Sequence, residues 1–167
     1  MHLGLVILAA LPTTWAAHIY QLRDGLAAQE GRDGCILPDN FRLSNLQAQS
    51  HDSGVTLDSI DFDFFDEETK RSTSCHKNAS SKGIAGPGAS RYSCDDTAVR
   101  FLWDGPSRKI WLEELVCRKD GTPPQWMVAG NTQLVFDCDK SGNCVIDSSE
   151  YKAQFSSLNE VKAGSWS

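Results

Sequence analysis

Ile60-Asp61-Phe62-Asp63-Phe64 alternates apolar and acidic residues without a break, and this alternation decides the fold. Successive side chains of a strand point to opposite faces. Ile60, Phe62 and Phe64 therefore share one face and Asp61 and Asp63 the other, as in a half-buried antiparallel strand. Upstream, Phe41, Leu43 and Leu46 are spaced for a strand with an irregularity, and His51-Asp52-Ser53-Gly54 marks the turn between the two. Downstream, Asp66 to Arg71 is charged and turn-like, and Ser72 to Cys75 is extended. Residues 76–91 are rich in Gly, Ser and Ala and read as a long exposed loop.

The second half continues the pattern. Val99, Phe101 and Trp103 alternate with Arg100 and Leu102, and Asp104-Gly105-Pro106-Ser107 is a strong turn. Ile110 and Leu112, then Leu115 and Cys117, form the partner strand, with Glu113-Glu114 breaking the alternation as an expected β-bulge. Further strands are expected at Trp126–Ala129, at Leu134–Cys138 paired with Cys144–Asp147, and as one last short strand through Tyr151, Ala153 and Phe155. No segment carries a sustained helical stripe. The expectation is an all-β fold, a compact antiparallel β-sandwich or β-barrel of about seven to nine short strands.

Leu3 to Leu11 is apolar apart from one glycine, too short to span a bilayer, and Thr14-Trp15-Ala16 supplies small residues for cleavage. Residues 1–16 are expected to be a signal peptide and 17–34 a flexible segment. A single secreted domain follows over 35–158, with a flexible tail at 159–167. No other apolar run reaches membrane-spanning length. The net charge of −6 comes without Lys/Arg clusters, which makes nucleic acid an unsuitable partner. Asn78-Ala79-Ser80 is an N-glycosylation sequon, in keeping with a surface loop of a secreted protein.

Six cysteines beyond a secretory signal indicate a disulfide framework. Cys138 and Cys144 can face each other across a hairpin turn. Cys75 and Cys94 end extended pieces on either side of the glycine-rich loop, and elimination leaves Cys35 with Cys117. The alternative is a Cys35 free for an intermolecular bond.

Candidate chemistry is sparse. Asp61 and Asp63, near Asp66, Glu67 and Glu68, resemble the paired carboxylates of glycoside hydrolysis, but such pairs sit across a cleft. A solvated strand face is the simpler account, and Glu113-Glu114 is read likewise. Asp137 to Asn143 resembles the start of a calcium loop, yet the twelfth position is Ser148 rather than an acid. A ribonuclease would draft His51, Glu67 and Arg100 as base, acid and phosphate contact, with nothing in their spacing requiring it. His18 lies in the segment before the domain, and His51 and His76 fall in expected loops. Gly83 to Gly88 is a flexible loop, not a phosphate cradle. No motif demands a cofactor or a metal. Trp103 and Trp126 are expected to pack in the core. Trp111 lies on the face opposite Leu112 and is the candidate binding residue, the alternative being that a second sheet covers it.

The phrases VTLDSIDFDFFDEETKRSTSC, YSCDDTAVRFLWDG, KIWLEELVC and QWMVAGN, with an early cysteine and a C-terminal cysteine pair, resemble in layout the small secreted fungal proteins of the Alternaria major allergen family. The resemblance implies an antiparallel β-barrel or sandwich and, for some members, a role as effector or elicitor at the fungus–plant interface. It carries over no catalytic residue. The leading expectation is a secreted non-enzymatic binding protein acting on a host extracellular protein or a small ligand. The alternatives are a secreted hydrolase using Asp61, Asp63 and His51, and a structural wall-associated protein.

Overall fold

The computed structural model describes residues 36–85, 89–117, 126–161 and 166. The expected signal peptide, the segment 17–34 and Cys35 lie outside the described residues. Ten strands run in order β1 Asn40–Ser50, β2 Ser59–Asp66, β3 Ser72–Lys77, β4 Arg91–Ser93, β5 Val99–Asp104, β6 Lys109–Val116, β7 Trp126–Gln133, β8 Phe136–Cys138, β9 Cys144–Ile146 and β10 Tyr151–Glu160. They pair as one antiparallel sheet in the order β3-β2-β1-β10-β7-β6-β5-β4, with the β8–β9 hairpin attached through β9 to β1. The sheet curls into a nearly closed barrel.

The alternating stretch does what its pattern demands. Ile60, Phe62 and Phe64 are buried, and Asp61 is exposed on the outer face. Inside, Phe41 stands 4.9 Å from Phe155 and 6.0 Å from Phe64 between ring centroids, and Phe62 meets Phe101 edge-on at 5.1 Å. Such tilted pairs favour ring edges on ring faces. Trp103 and Trp126 pack against this core. The irregularity in β1 is a bulge between Ser44 and Gln47, with Asn45 at φ 51°. An asparagine tolerates that left-handed backbone better than a bulkier residue would. The bend lets one end of β1 pair with β10 and the other with β9.

Three expectations are corrected here. The last strand is not short: β10 runs through Glu160, beyond the expected domain end at 158, and joins β1 to β7 as the hinge of the whole sheet. At this hinge Gly130 lies so close to β10 that a Cβ would stand 2.3 Å from the Gln154 carbonyl oxygen. Glu113-Glu114 is not a bulge, because β6 keeps unbroken register with β5 and β7 through both residues. Both glutamates are buried, Glu114 facing the core and Glu113 the outer side. Asp66 is not in an exposed turn but buried at the end of β2.

The two ends of the sheet, β3 and β4, are joined by a seam rather than a continuous ladder. Cys75 of β3 is disulfide-bonded to Cys94, just past β4, with Cα atoms 4.2 Å apart. Beside it the Asp95 N–H donates to the Ser74 carbonyl at 2.9 Å and the Asp96 N–H to Thr73 Oγ1 at 2.8 Å. Beneath the seam, Arg71 bonds Glu114 through Nε at 2.7 Å and Asp96 through Nη1. Asp66 accepts from the Glu68 N–H at 2.9 Å and from the Thr69 N–H and hydroxyl. Cys138–Cys144 is the second disulfide among the described residues. Cys117 is also disulfide-bonded, and Cys35, the partner expected for it, lies outside the described residues.

Burial, then the neighbouring Asp66 carboxylate, push the Glu114 carboxyl up to about 8 against the pull of Arg71. Burial also raises Asp66. Groups raised on folding stabilise the fold when protonated, so their contribution is present at acid pH and is lost as pH rises. The barrel should therefore lose stability from about pH 4.5 to about pH 8, by at most about 1.4 kcal/mol per pH unit from Glu114. Glu114→Gln should flatten that slope in urea titrations at several pH values; an unchanged slope would show that Glu114 does not titrate in this window. Replacing Cys75 and Cys94 together by serine should cost about 3 kcal/mol in the same assay. The shorter Cys138–Cys144 loop should cost about 2 kcal/mol.

Candidate functional site

A groove of about 410 Å³ opens where the end of β1 meets the β8–β9 hairpin. Register builds it, because Gln49 pairs with Val145 and Ser50 with Cys144, while Cys144 also faces Cys138 across the hairpin. One wall is Gln49, Ser50 and His51; the other carries Asp137, Asp139, Asn143 and Val145. The lining includes both cysteines of the hairpin disulfide, with Asp137, Asp139 and one exposed apolar residue, Val145.

Both turns that shape the groove are held by their own polar groups. Asp139 accepts from the N–H groups of Ser141 at 2.8 Å and Asn143 at 3.0 Å, and from the Asn143 side-chain amide at 2.9 Å. These bonds, the Asn143 side chain foremost, hold its carboxyl below the usual range. Gly142 takes φ +85°, a conformation that suits glycine, and its carbonyl accepts from the Ser53 N–H at 2.9 Å. On the facing turn Asp52 accepts from the Thr56 N–H at 2.7 Å and from the Ser50 hydroxyl at 2.8 Å. The Thr56 bond leads in lowering Asp52. Asp137 is exposed on the hairpin opposite Val145.

The residues singled out in the sequence are dispersed. His51 reaches the groove, with Nδ1 paired to Asp58 across the β1–β2 turn, and both side chains are largely exposed. Asp61 and Asp63 are on the outer face of β2, away from it. Asp63 accepts from Asn45 Nδ2 at 2.8 Å and the Ser74 hydroxyl at 2.7 Å, which lower its pKa in that order. These bonds tie down the β1 bulge and β3. His76 lies on β3, not in a loop, opposite Asp61, with Nε2 2.9 Å from Asp95 Oδ1. Glu67 lies beside the start of β1, its N–H donating to the Asn40 carbonyl at 3.1 Å, whereas His51 follows the other end of that strand, and Arg100 is buried against Glu113 rather than open to a phosphate. The calcium-like loop is a hairpin turn in which Asp139 serves the backbone. Among the described residues no three His, Cys, Asp or Glu side chains cluster as a metal site.

Trp111 faces outward, half-buried, paired with Leu102 on β5 and Asn131 on β7. Asn78 is exposed just past β3, and its Oδ1 accepts from the N–H of Ser80 at 2.9 Å and from its hydroxyl at 2.7 Å. Sequence reasoning missed the wall Gln49–His51, whose place depends on pairing with residues far along the chain. It also missed the buried pair Arg100–Glu113. The Cys138–Cys144 spacing was the one available signal for the groove.

No protein-family model and no curated protein matches this sequence. Among solved structures the chain is similar to the crystal structure of Alternaria alternata allergen Alt a 1, at 13% sequence identity and TM-score 0.49, over 75% of this chain and 92% of that one. A second crystal structure of the same Alternaria alternata major allergen gives 12% identity and TM-score 0.47, over 75% of this chain and 96% of that one. The fold assignment rests on the strand pairing itself.

Proposed function

We propose that this chain is a secreted, non-enzymatic binding protein, effector-like, that engages a host extracellular protein through the groove beside Cys138–Cys144. The observation that carries the reading is the groove's construction, a concave surface lined by a disulfide and by turns held by backbone-directed carboxylates. Such a surface is set before a ligand arrives, so little ordering cost falls on binding. Its chemistry indicates the partner. Asp137 on a rim with the exposed Val145 suits a lysine or arginine, whose aliphatic stem lies on apolar surface while its charge meets the carboxylate. The disulfides favour an oxidising, extracellular setting. A glycan on Asn78 belongs to the same reading, since the sequon is exposed.

The hydrolase alternative retains one specific observation, the His51–Asp58 pair at the groove edge. Histidine oriented by a carboxylate is a general-base arrangement.

Titration of ¹⁵N-labelled protein with Lys/Arg-containing extracellular peptides should give saturable shifts at Gln49, Asn143 and Val145. The affinity should fall about tenfold or more in Asp137→Lys and weaken with added salt. Shifts that do not saturate, or an Asp137→Lys variant that binds equally well, would remove the groove as the binding site. Hydrolysis of RNA or glycan that disappears in His51→Ala or Asp58→Asn would replace the binding reading with the enzymatic one.

A further inference from the structure

The outer face of β5 and β6 carries charge where a solvated strand face would be expected, yet that charge is buried. Arg100 and Glu113 stand directly opposite each other in register, and they are 7% and 6% exposed. Arg91 joins them from β4, its Nε 3.1 Å from Glu113 Oε1, while Arg100 Nε bonds Glu113 Oε2. Two guanidinium groups thus meet one buried carboxylate in a largely desolvated, charged patch.

Trp166 covers that patch. Its ring lies 3.7 Å from the Arg100 guanidinium carbon, its indole N–H donates to the Thr97 carbonyl at 2.8 Å, and its own carbonyl accepts from Arg100 Nη1 at 3.4 Å. One residue therefore supplies a π face to a cation, a donor to a backbone carbonyl and an acceptor to a guanidinium. Phenylalanine lacks the N–H, so the full set of contacts selects tryptophan. Leu102 and Trp111 form the next pair on the same outer face, one two-residue step along the strands, and extend the surface past the charged patch.

We infer that this patch is a binding seat for a tryptophan residue, filled in the free protein by Trp166 and open to a tryptophan-bearing peptide of a partner once Trp166 leaves. The hydrogen-bonded Arg91–Glu113–Arg100 group makes the seat rigid, and Trp166 acts as an intramolecular competitor. The seat shares no residue with the Cys138–Cys144 groove, so either can fail without the other.

The test uses the full chain carrying Trp166→Ala, with N-acetyl-tryptophanamide as probe and the Arg100 side-chain N–H and Glu113 amide followed by NMR. The seat requires saturable binding to Trp166→Ala, at least tenfold weaker binding to the unsubstituted protein, and weaker binding of N-acetyl-phenylalaninamide. Arg100→Lys in the Trp166→Ala background keeps the charge beside Glu113 but removes the flat guanidinium, and it should reduce affinity severalfold. Absence of binding to a folded Trp166→Ala protein, or equal binding with and without Trp166, would overturn the inference. Because Trp166→Ala removes no member of the charged group, its result stands even if the double variant does not fold.

Discussion

The seam between β3 and β4 is the constraint on which the rest of the structure depends. Every other neighbouring pair along the sheet path is held by a ladder of backbone hydrogen bonds, but these two end strands meet through the Cys75–Cys94 disulfide, two flanking hydrogen bonds and half-buried Arg71. Without closure, β3 would present an open edge, and exposed edges invite pairing with other chains. The cross-link spans a loop rich in glycine and serine, so it restricts a segment that would otherwise be costly to order. Arg71 completes the closure, because a half-buried guanidinium that bonds two carboxyl groups on different elements fixes their relative positions.

The acidic character of the chain takes on a structural meaning in this light. Asp52, Asp63, Asp66 and Asp139 each accept hydrogen bonds that shape a turn or a bulge. Glu113 and Glu114 are neighbours in sequence but belong to separate buried networks on opposite sides of one sheet. Much of the carboxylate content is therefore committed to the scaffold. What remains for recognition is the groove rim at Asp137 and Val145, and the outer face around Trp111 and Trp166. The groove lies on hydrogen-bonded strands and turns, so a partner would meet a preformed shape there, whereas the outer face is filled by Trp166.

The strand framework was legible because it is local. Ile60 to Phe64, the Val99–Trp103 strand with its partner, and the Cys138–Cys144 hairpin each announce themselves within a few residues. Burial of charge was not legible, because it depends on residues remote in sequence. Glu114 is buried with the help of Arg71, and Arg100 is covered by Trp166, so the pair of glutamates looked like a solvated bulge. The importance of β10 was hidden for a different reason. Its polar sequence buries only Phe155 fully, and its hinge role comes from hydrogen bonding to strands on both sides rather than from an apolar stripe. Cys75 and Cys94 could be paired from their position, but their role as the barrel closure required the strand order.

Hydrogen exchange at single-residue resolution, with and without the Cys75–Cys94 bond, tests the closure most directly. If the disulfide closes the barrel, replacing both cysteines by serine should speed exchange at the seam amides of Asp95 and Asp96 beyond the common factor that the loss of about 3 kcal/mol in global stability imposes on the β5–β6–β7 ladder. Acceleration at the seam no greater than in the ladder would contradict a barrel held shut at that point.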